Sequence, residues 1–279
     1  MIMKKCKERI FAMAIARTLT IAGSAAQGSA GLQADLKTFQ ERGVYGMSAI
    51  TAIVANNSRT ELGIFTQPLE AVEAQIYAAF EHVGIDALKT GMLFTKEIIE
   101  HVTAILKEVR ADTIVVDPVM IGKMGSQLLK DDAIQTMKGV LFPVADLITP
   151  NTMEAAKILG WDSIETLKDM YRAAKDLHQL GPAYVLVKGG SLADYPAVDI
   201  LFDGESYTEY RSERVNTIHT SGAGCTYAAA ITAELAKGKS IEDAVGLAKE
   251  FVTEAIRHAL SFERGIGSTN HAAYRNKNK

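Results

Sequence analysis

The chain has 279 residues, of which 48% are hydrophobic and 23% are charged, enough for one large domain with a full core. Its net charge of −3 and pI of about 6.1 exclude an overall basic surface of the kind that attracts nucleic acid or anionic lipid. Its two cysteines, Cys6 and Cys225, cannot build a disulfide framework or a four-cysteine metal site, which favours the reducing cytoplasm. No apolar run approaches the roughly 18 residues of a membrane span, so we expect no membrane partner.

The N-terminus differs in composition from the rest of the chain. Four basic residues within 4–9 precede a short apolar run at 10–16, a weak likeness to a signal peptide, but Arg17 and a strand-like segment come directly after it. We therefore expect a poorly ordered extension over 1–17, with Met13 as a candidate for the true start. A single domain is expected over 18–274, with a polar, frayed tail over 275–279.

Strand-like and helix-like segments alternate along the chain, which predicts one α/β domain with a mostly parallel sheet. Apolar, β-branched runs predict strands at 18–22, 44–54, 87–92, 113–118, 146–151 and 184–187. Helical spacing predicts helices at 32–41, 69–82, 96–109, 131–141, 153–159 and 164–180, and then an alanine-rich helix pair broken at 237–239. Two further strands, 198–202 and 207–210, flank Asp203-Gly204, a hairpin-turn signal. The run at 113–118 is almost continuously apolar, which indicates burial on both faces by helices.

A glycine-rich turn at Gly222-Ala223-Gly224 leads directly into a run of good helix formers. Such a turn presents backbone N–H groups and the positive end of the helix dipole, which together attract an anion. Cys225 falls in the first helical turn, where the same field is expected to stabilise a thiolate. The alternative is an ordinary glycine turn before a helix with a small buried cysteine, and the turn alone does not separate the two.

Residues with ligand-binding chemistry stand at or just beyond the predicted strand ends. They are Gly23, Asn56, Met92, Asp117, Asn151 and Lys188. Because the carboxyl ends of parallel strands share one edge, where ligands bind, this placement favours an enzyme over a scaffold.

Each of these polar residues also has a purely structural interpretation. Asp117 can cap a turn or serve Mg²⁺. Asn151 and Glu154 have the spacing of a capping box, but they can equally orient hydrated Mg²⁺. Lys188 can be solvated or can face a nucleotide phosphate. Asp35, within the first predicted helix, has the position of a solvent-facing charge.

Other motifs exclude several classes of site and enzyme. The histidines His82, His101, His178, His258 and His271 lack metal-ligand spacing, and we predict that they lie on the surface. There is no Gly-x-x-x-x-Gly-Lys-Ser/Thr loop, which excludes a P-loop kinase. There is no Gly-x-Gly-x-x-Gly after the first strand, which argues against a nicotinamide enzyme.

The order of the motifs resembles the hydroxymethylpyrimidine/phosphomethylpyrimidine kinases of thiamine biosynthesis, in the ribokinase-like superfamily. The segments that carry the resemblance are Ala22-Gly23-Ser24, Ala30 to Phe39, Lys89 to Leu93, Val116 to Met120, Thr149-Pro150-Asn151 with Glu154-Ala155, Lys188-Gly189-Gly190 and Gly222 to Thr226. The resemblance covers about residues 18–274. It implies a ribokinase-like sheet flanked by helices on both faces, a homodimer, and the use of ATP and Mg²⁺ to phosphorylate a hydroxymethyl group and then the monophosphate.

The resemblance also implies a role for each site residue. Cys225 would be the base, and the amides of Gly222, Ala223 and Gly224 would stabilise the transferred phosphoryl group. Asn151, Glu154, Lys188 and Thr220 would bind the nucleotide. Asp117 and Glu154 would lie at the metal, and Gly23, Asp35, Asn56 and Met92 would line the pyrimidine pocket.

The chain departs from the family pattern at Ala25, Asn56 and Ser221, where the family commonly has Asp, Gln and His. These changes fall on the substrate pocket and lid, so they leave the ring uncertain. The first alternative is a pyridoxal/pyridoxine kinase of vitamin B6 salvage, although Ile121-Gly122-Lys123 lacks the second cysteine frequent in such enzymes. The second alternative is a non-catalytic pyrimidine-binding regulator, against which Cys225 and Lys188 argue.

Overall fold

The structure is a computed structural model that describes residues 15–109, 111–120, 122, 128–192 and 195–276. The expectations about residues 1–14, the start at Met1 or Met13, the end of the tail at 277–279, and the positions of Ile121 and Lys123 lie outside the described residues.

Nine strands form one sheet in the order β3-β2-β1-β4-β5-β6-β7-β8-β9. Their bounds are β1 Arg17–Ala25, β2 Tyr45–Val54, β3 Ile64–Thr66, β4 Ala87–Thr90, β5 Ile114–Val116, β6 Leu147–Ile148, β7 Tyr184–Lys188, β8 Ala197–Phe202 and β9 Tyr207–Ser212. The six strands from β2 to β7 in this order run parallel, whereas β3 at one edge and β8 and β9 at the other pair antiparallel. The mostly parallel sheet predicted from the sequence is confirmed.

Eight α-helices cover the two faces of the sheet over the described ranges. They are α1 Gly31–Glu41, α2 Leu69–His82, α3 Lys96–Val109, α4 Asp131–Thr136, α5 Thr152–Leu159, α6 Leu167–His178, α7 Ala223–Ala236 and α8 Ile241–Arg257. Alternate residues of the central strands face opposite layers. Leu88 and Val116 pack with α2 to α6, whereas Ala87 and Val115 pack with α7 and α8. Burial on both faces explains the continuous apolar run in β5.

Three segments differ from the sequence-based prediction. The helix expected at 131–141 ends at Thr136, and a π-helical turn, Met137–Leu141, continues the chain. The helix expected from residue 164 begins at Leu167, because the Thr166 hydroxyl accepts the Asp169 N–H at 3.1 Å and caps the first turn. Strand β3 was not predicted, since it has only three residues and two of them are exposed.

Both ends of the described chain are more ordered than expected. Arg17, assigned to the extension, belongs to β1, and its backbone N–H donates to Asp86 Oδ2 at 2.7 Å. Arg275, assigned to the frayed tail, lies in a 3₁₀ turn, and its guanidinium binds both carboxylate oxygens of Glu41 at 2.6 and 3.1 Å. A bidentate ion pair of this kind restrains an otherwise polar terminus.

The topology places a ligand crevice between β1 and β4. From β1 the chain crosses by α1 to β2 on one side, whereas β4 lies on the other side of β1. Such a switch in strand order opens a crevice at the carboxyl edge. The N-terminus of α7 approaches the same edge. A Cβ added at Gly224 would lie 3.4 Å from Nζ of Lys188, which is at the end of β7. None of the helices in the described ranges is long and apolar enough to cross a membrane.

Candidate active site

The turn before α7 forms a cradle of backbone N–H groups at the crevice. Gly222 has φ +81°, and a Cβ there would overlap the Ser29 carbonyl oxygen, so only glycine fits. The Thr226 N–H donates to the Gly222 carbonyl at 2.8 Å and closes the first turn. The Ala223 N–H donates to the Thr220 carbonyl at 3.2 Å, whereas the N–H groups of Gly224 and Cys225 lie at the helix N-terminus, where an anion is favoured.

The loop between β1 and α1 folds over this cradle. Ser29 Oγ lies 2.9 Å from Ser221 Oγ, and the backbone N–H of Gly31 acts to lower the pKa of the Cys225 thiol. Because α1 begins at Gly31 and α7 at Ala223, two helix N-termini meet at Cys225. Their dipoles both favour negative charge at this point.

Five buried charges form a row of alternating sign along the carboxyl edge of the sheet, from α1 to α5. In order, the members of this buried charge row are Asp35, Lys89, Asp117, Lys188 and Glu154. Neighbouring members are linked by Lys89 Nζ to Asp35 Oδ2 at 3.1 Å, Lys89 Nζ to Asp117 Oδ2 at 3.9 Å, and Lys188 Nζ to Asp117 Oδ1 at 3.0 Å. Lys188 and Glu154 interact through their charges.

The pKa values in the row follow from burial and from this alternation. Burial alone lowers the pKa of Lys89 and Lys188, but the adjacent carboxylates raise both pKa values above their usual range. Burial raises the pKa of Asp117, but the two lysines more than offset it and lower it overall. At neutral pH, Asp117 and both lysines are therefore charged.

Two acceptors in the row, Asp35 Oδ1 and Asp117 Oδ2, are buried and accept no hydrogen bond from the described residues. Asp117 Oδ1 accepts from Lys188 and, at 3.2 Å, from Thr149 Oγ1, whereas the buried Asp117 Oδ2 accepts no hydrogen bond from the residues that the structure describes. A buried carboxylate oxygen without a hydrogen bond, 3.9 Å from the Lys89 ammonium, can accept a cation, so the structure is compatible with Mg²⁺ here. Among the described residues no three His, Cys, Asp or Glu side chains come together as a cage. Mg²⁺ in phosphate-transferring sites uses one or two carboxylates together with the phosphates.

Asn151 and Glu154 form the complete capping box of α5. Asn151 Oδ1 accepts the Glu154 N–H and Glu154 Oε2 accepts the Asn151 N–H, both at 2.9 Å. The structural interpretation of this pair is thus correct, and it leaves the Glu154 carboxyl buried beside Lys188. Burial raises the pKa of Glu154 to about 7, with Lys188 lowering it and Asp117 raising it.

The expected low pKa of Cys225 is wrong. Burial raises the pKa of the half-buried thiol to about 12, helped by Asp35 and Asp117, and Lys89 and the Gly31 N–H only partly compensate. Burial and the two carboxylates therefore outweigh the Lys89 ammonium and the Gly31 N–H. Cys225 is a protonated thiol at neutral pH.

The four residues expected in the substrate pocket lie in three different places. Gly23 and Met92 are in contact, since Met92 Cε fills the space beside Gly23 Cα, and Thr51 Oγ1 donates to the Met92 carbonyl at 2.7 Å. Asp35 joins the buried charge row and accepts from Thr20 Oγ1 at 2.7 Å. Asn56 lies two residues beyond β2, where its side chain is exposed and rests against Gly63.

Two surface predictions are wrong. The Asp35 side chain is fully buried, because it lies on the face of α1 turned toward Thr20 and Lys89. His271 is also buried, with 6% exposure, and its Nε2 lies 3.1 Å from Thr226 Oγ1. From the sequence, the Asp35 position in a helix and the His271 position near the chain end each allow a buried or an exposed side chain. The tertiary packing decides that both are buried.

Sequence reasoning missed Lys89 as a site residue. Lys89 is fully buried between Asp35 and Asp117, and its ammonium contributes to the field at Cys225. A signal was present, because a lysine inside the short apolar strand β4 must find carboxylate partners if it is buried.

Comparison with known proteins identifies the family. Residues 26–270 match the sequence profile of the family described as phosphomethylpyrimidine kinase. The chain belongs to this family. As a member it is an enzyme, a phosphotransferase of the kinase class, with the ribokinase-like fold.

Relatives within the phosphomethylpyrimidine kinase family carry two different names. The chain is 45% identical to pyridoxine kinase of Bacillus subtilis, over 94% of this chain and 98% of that one. It is 44% identical to hydroxymethylpyrimidine/phosphomethylpyrimidine kinase of the same organism, over 94% and 97%. Pyridoxal kinase of Staphylococcus aureus, solved with AMP-PCP and pyridoxal, matches with a TM-score of 0.87 and 38% identity, over 95% of this chain and 96% of that one.

Proposed function

We propose that the chain transfers the γ-phosphoryl group of ATP to 4-amino-5-hydroxymethyl-2-methylpyrimidine and then to its monophosphate, for thiamine biosynthesis. One observation carries the proposal for the site. The Gly222–Cys225 cradle, the Lys188 ammonium and the open oxygen of Asp117 converge at the crevice of a phosphomethylpyrimidine kinase fold. Anion cradle, cation and metal carboxylate are what phosphoryl transfer requires.

In the proposed reaction the hydroxymethyl oxygen attacks the γ-phosphorus, and the bond from that phosphorus to the oxygen of departing ADP breaks. The N–H groups of the cradle stabilise charge on the three equatorial oxygens. Cys225 would lose its own proton to solvent and, as the thiolate, accept the proton of the attacking hydroxyl. Its raised pKa makes the thiolate scarce at neutral pH but strongly basic when formed.

Asp117 and Glu154 would hold Mg²⁺, with Asn151 fixing the Glu154 carboxyl through the capping box. When bound, Mg²⁺ supplies positive charge that neutralises the phosphate oxygens. Lys188 then has two possible partners, the Asp117 carboxylate on one side and a phosphate at Gly224 on the other. Thr220 precedes the cradle and completes the phosphate side of the site.

An apolar surface beside the cradle fits the base of the nucleotide. The side chains of Ile218, Phe262 and Ile266 are 67%, 58% and 38% exposed. They lie in the two segments that the pairing of Ser221 with Ser268 brings together at the turn. Exposed apolar side chains next to an anion site favour a ligand with one charged and one aromatic end.

The pyrimidine is assigned to the crevice that Gly23 and Met92 line, beside Asp35. The thioether of Met92 offers a polarisable surface for a flat ring. Asn56 lies at the edge of β2 and would reach the ring only after rearrangement, because its amide now rests against Gly63.

A B6 vitamer is the second candidate substrate, favoured by the 45% identity to a pyridoxine kinase and by the pyridoxal complex of a similar structure. Pyridoxal and the pyrimidine both carry a hydroxymethyl group on a heteroaromatic ring, so the same transfer chemistry serves both. Few pocket contacts distinguish two such rings, and small differences there decide the ratio of their kcat/KM values.

The deciding experiment measures ATP consumption with hydroxymethylpyrimidine, its monophosphate and pyridoxal in parallel. We expect turnover of both pyrimidines, with kcat/KM above that of pyridoxal. Exclusive turnover of pyridoxal would establish the second candidate instead. Binding of the pyrimidine without ATP consumption, in the presence of Mg²⁺, would point to the non-catalytic regulator.

We further propose a cytoplasmic homodimer. Exposed apolar side chains on the β2–β3 edge, including Tyr45, Ile53 and Phe65, offer a surface for a second copy. Sedimentation equilibrium at micromolar concentration tests the dimer, and a monomer at all concentrations would contradict it.

A further inference from the structure

The segment after α8 holds the residue that precedes the cradle. The Ser221 N–H donates to the Gly267 carbonyl at 3.1 Å, and the Ser221 carbonyl accepts the Thr269 N–H at 3.1 Å. Both backbone groups of Ser221 are thereby bound to the segment Gly267–His271, which we name the C-terminal clamp. The Gly267 N–H in turn donates to His219 Nδ1 at 2.8 Å, so the chain before Ser221 is tied to the clamp as well.

The clamp also holds the residue directly after the cradle. Thr226 Oγ1 lies 3.3 Å from Thr269 Oγ1 and 3.1 Å from His271 Nε2. Thr226 and Thr269 are fully buried and His271 is 6% exposed. The residues that flank the cradle on either side, Ser221 and Thr226, are therefore both hydrogen-bonded to the C-terminal clamp.

The chemistry of His271 suits a permanent anchor. Burial lowers its pKa to about 4, and Lys37 adds to this effect, so the imidazole stays neutral under physiological conditions. A neutral imidazole exchanges a hydrogen bond with a hydroxyl without bringing a charge into the site. A protonated imidazole would instead add a positive charge beside the cradle and change how strongly the cradle attracts a phosphate.

We propose that the C-terminal clamp sets the geometry of the cradle, and that His271 is a positioning residue for phosphoryl transfer, acting through Thr226 on the Cys225 turn. The inference rests on the proposed function of the cradle. Its physical basis is that N–H donors stabilise a transferring phosphoryl group only if they are held at hydrogen-bond distance from its oxygens. A displacement of about 1 Å at a site of this kind can reduce turnover about 100-fold.

The test compares His271→Ala, His271→Gln and Thr226→Val in the full chain. We expect His271→Ala and Thr226→Val to lower kcat about 10- to 100-fold with KM for the pyrimidine changed less than about threefold, since the cradle acts on the transition state. His271→Gln keeps a neutral hydrogen-bonding group and should restore kcat to within about threefold of the wild type. The double variant of His271→Ala and Thr226→Val should be no worse than the poorer single variant, because both remove the same interaction.

A second readout reports on the cradle without any turnover. In a Cys6→Ser background Cys225 is the remaining cysteine, and its rate of alkylation by iodoacetamide at fixed pH reports its surroundings. We expect His271→Ala to change this rate several-fold. His258→Ala is the matched control, since His258 is an exposed histidine at the end of α8, and it should leave both the rate and kcat unchanged.

The outcomes separate this inference from the proposed function. If the wild type turns over a substrate and His271→Ala lowers only the Tm, with kcat and alkylation rate unchanged, His271 is merely structural and the inference is wrong. If the wild type turns over none of the three substrates, the proposed function fails, and the alkylation rates still decide whether the clamp sets the cradle. If His271→Ala does not fold, Thr226→Val and His271→Gln carry the same comparison.

Discussion

At the scale of single residues, burial and neighbouring charges set the protonation state of each side chain in the site. Cys225 keeps its proton to about pH 12 and Glu154 loses its proton near pH 7, although both lie beside a lysine. Burial raises both pKa values above those of an ordinary thiol and an ordinary carboxyl, and the gap that remains between them is the one between these two chemical groups. The protonation state of each group at neutral pH therefore depends on its chemical type as well as on its burial and its charged neighbours.

Removing the thiol tests the assignment of Cys225 as base. We expect Cys225→Ala to lower kcat about 10²- to 10⁴-fold with little change in ATP affinity, as for the loss of a general base. With a free-enzyme pKa of about 12, the thiolate fraction rises about tenfold per pH unit above neutrality, so kcat/KM of the wild type should rise with pH up to about pH 9.5.

The pH profile of Cys225→Ala is the control for this rise and should be flat over the same range. A plateau of the wild-type profile below pH 8, or a variant profile that rises in parallel, would remove Cys225 from the role of base. Measuring both profiles with the same substrate and fixed Mg²⁺ makes the comparison direct.

The Glu154 carboxyl predicts a pH-dependent requirement for Mg²⁺. Below its pKa of about 7 the carboxyl is protonated and binds a cation poorly, and above that value it is ionised. Between pH 6 and 8 the ionised fraction increases about tenfold, so the Mg²⁺ concentration for half-maximal activity should fall by roughly that factor. Glu154→Gln should raise the requirement and flatten its pH dependence, measured by Mg²⁺ titration at several pH values.

Titration of the ATP phosphates affects both enzymes equally, so the difference between wild type and variant carries the result. An identical Mg²⁺ requirement in the two proteins at every pH would contradict the metal assignment.

At the scale of elements, the decisive feature is the contact between the β1–α1 loop and the turn before α7. The two segments are almost 200 residues apart, yet the Ser29 carbonyl oxygen occupies the space where a side chain at Gly222 would point. Both helices thereby bring their N-termini to Cys225. Local sequence signals each helix start, but the meeting of the two depends on the α1–α7 packing on one face of the sheet.

Gly222→Ala should impair both stability and activity. The left-handed φ costs about 1 kcal/mol for a residue with Cβ, and displacement of the Ser29 carbonyl adds to it, so we expect kcat to fall at least roughly tenfold. Gly238→Ala is the matched control, because Gly238 has φ +80° but nothing within 4 Å of the added Cβ. It should lower stability by about 1 kcal/mol in urea unfolding and leave kcat unchanged. Equal effects of the two variants would show that the Ser29 contact has no role.

At the scale of the whole molecule, the buried charge row links the ends of three strands to two helices on opposite faces. Asp35 comes from α1, Lys89, Asp117 and Lys188 from the ends of β4, β5 and β7, and Glu154 from α5. The row therefore runs along the carboxyl edge of the sheet, from the helix layer on one face to the helix layer on the other. Its charges compensate one another only when all of these elements are assembled.

Lys89→Met should destabilise the fold by about 3–5 kcal/mol, because it leaves the buried carboxylates of Asp35 and Asp117 without their shared ammonium. Lys96→Met is the matched control at an exposed i,i+4 pair with Glu100 and should change stability by less than about 1 kcal/mol. The two free energies of unfolding are compared by urea denaturation. Adding Asp35→Asn to Lys89→Met should recover part of the loss, and a loss no larger than that of the control would disprove the role of the row.

Much of the fold could be predicted because its signals are local. Within the described residues, the apolar runs and helical spacing located eight of the nine strands and the eight α-helices, with boundary errors where a cap such as Thr166 intervenes. The three-residue strand β3 was missed because its partner, β2, defines it rather than its own composition. Of the site, the cradle and strand-end residues were located, whereas the burial of Asp35, Lys89 and His271 was not.

The sequence by itself determined the order of elements, the family and the residues that we propose for phosphoryl transfer, since these depend on local propensity and on motifs. Tertiary structure alone decided which of these groups meet and in which protonation state. Burial raised the pKa of Cys225 where a helix N-terminus predicted a thiolate, and packing turned Asp35 and His271 inward. Desolvation and long-range charge depend on all the elements packed around a group, and no stretch of sequence specifies them.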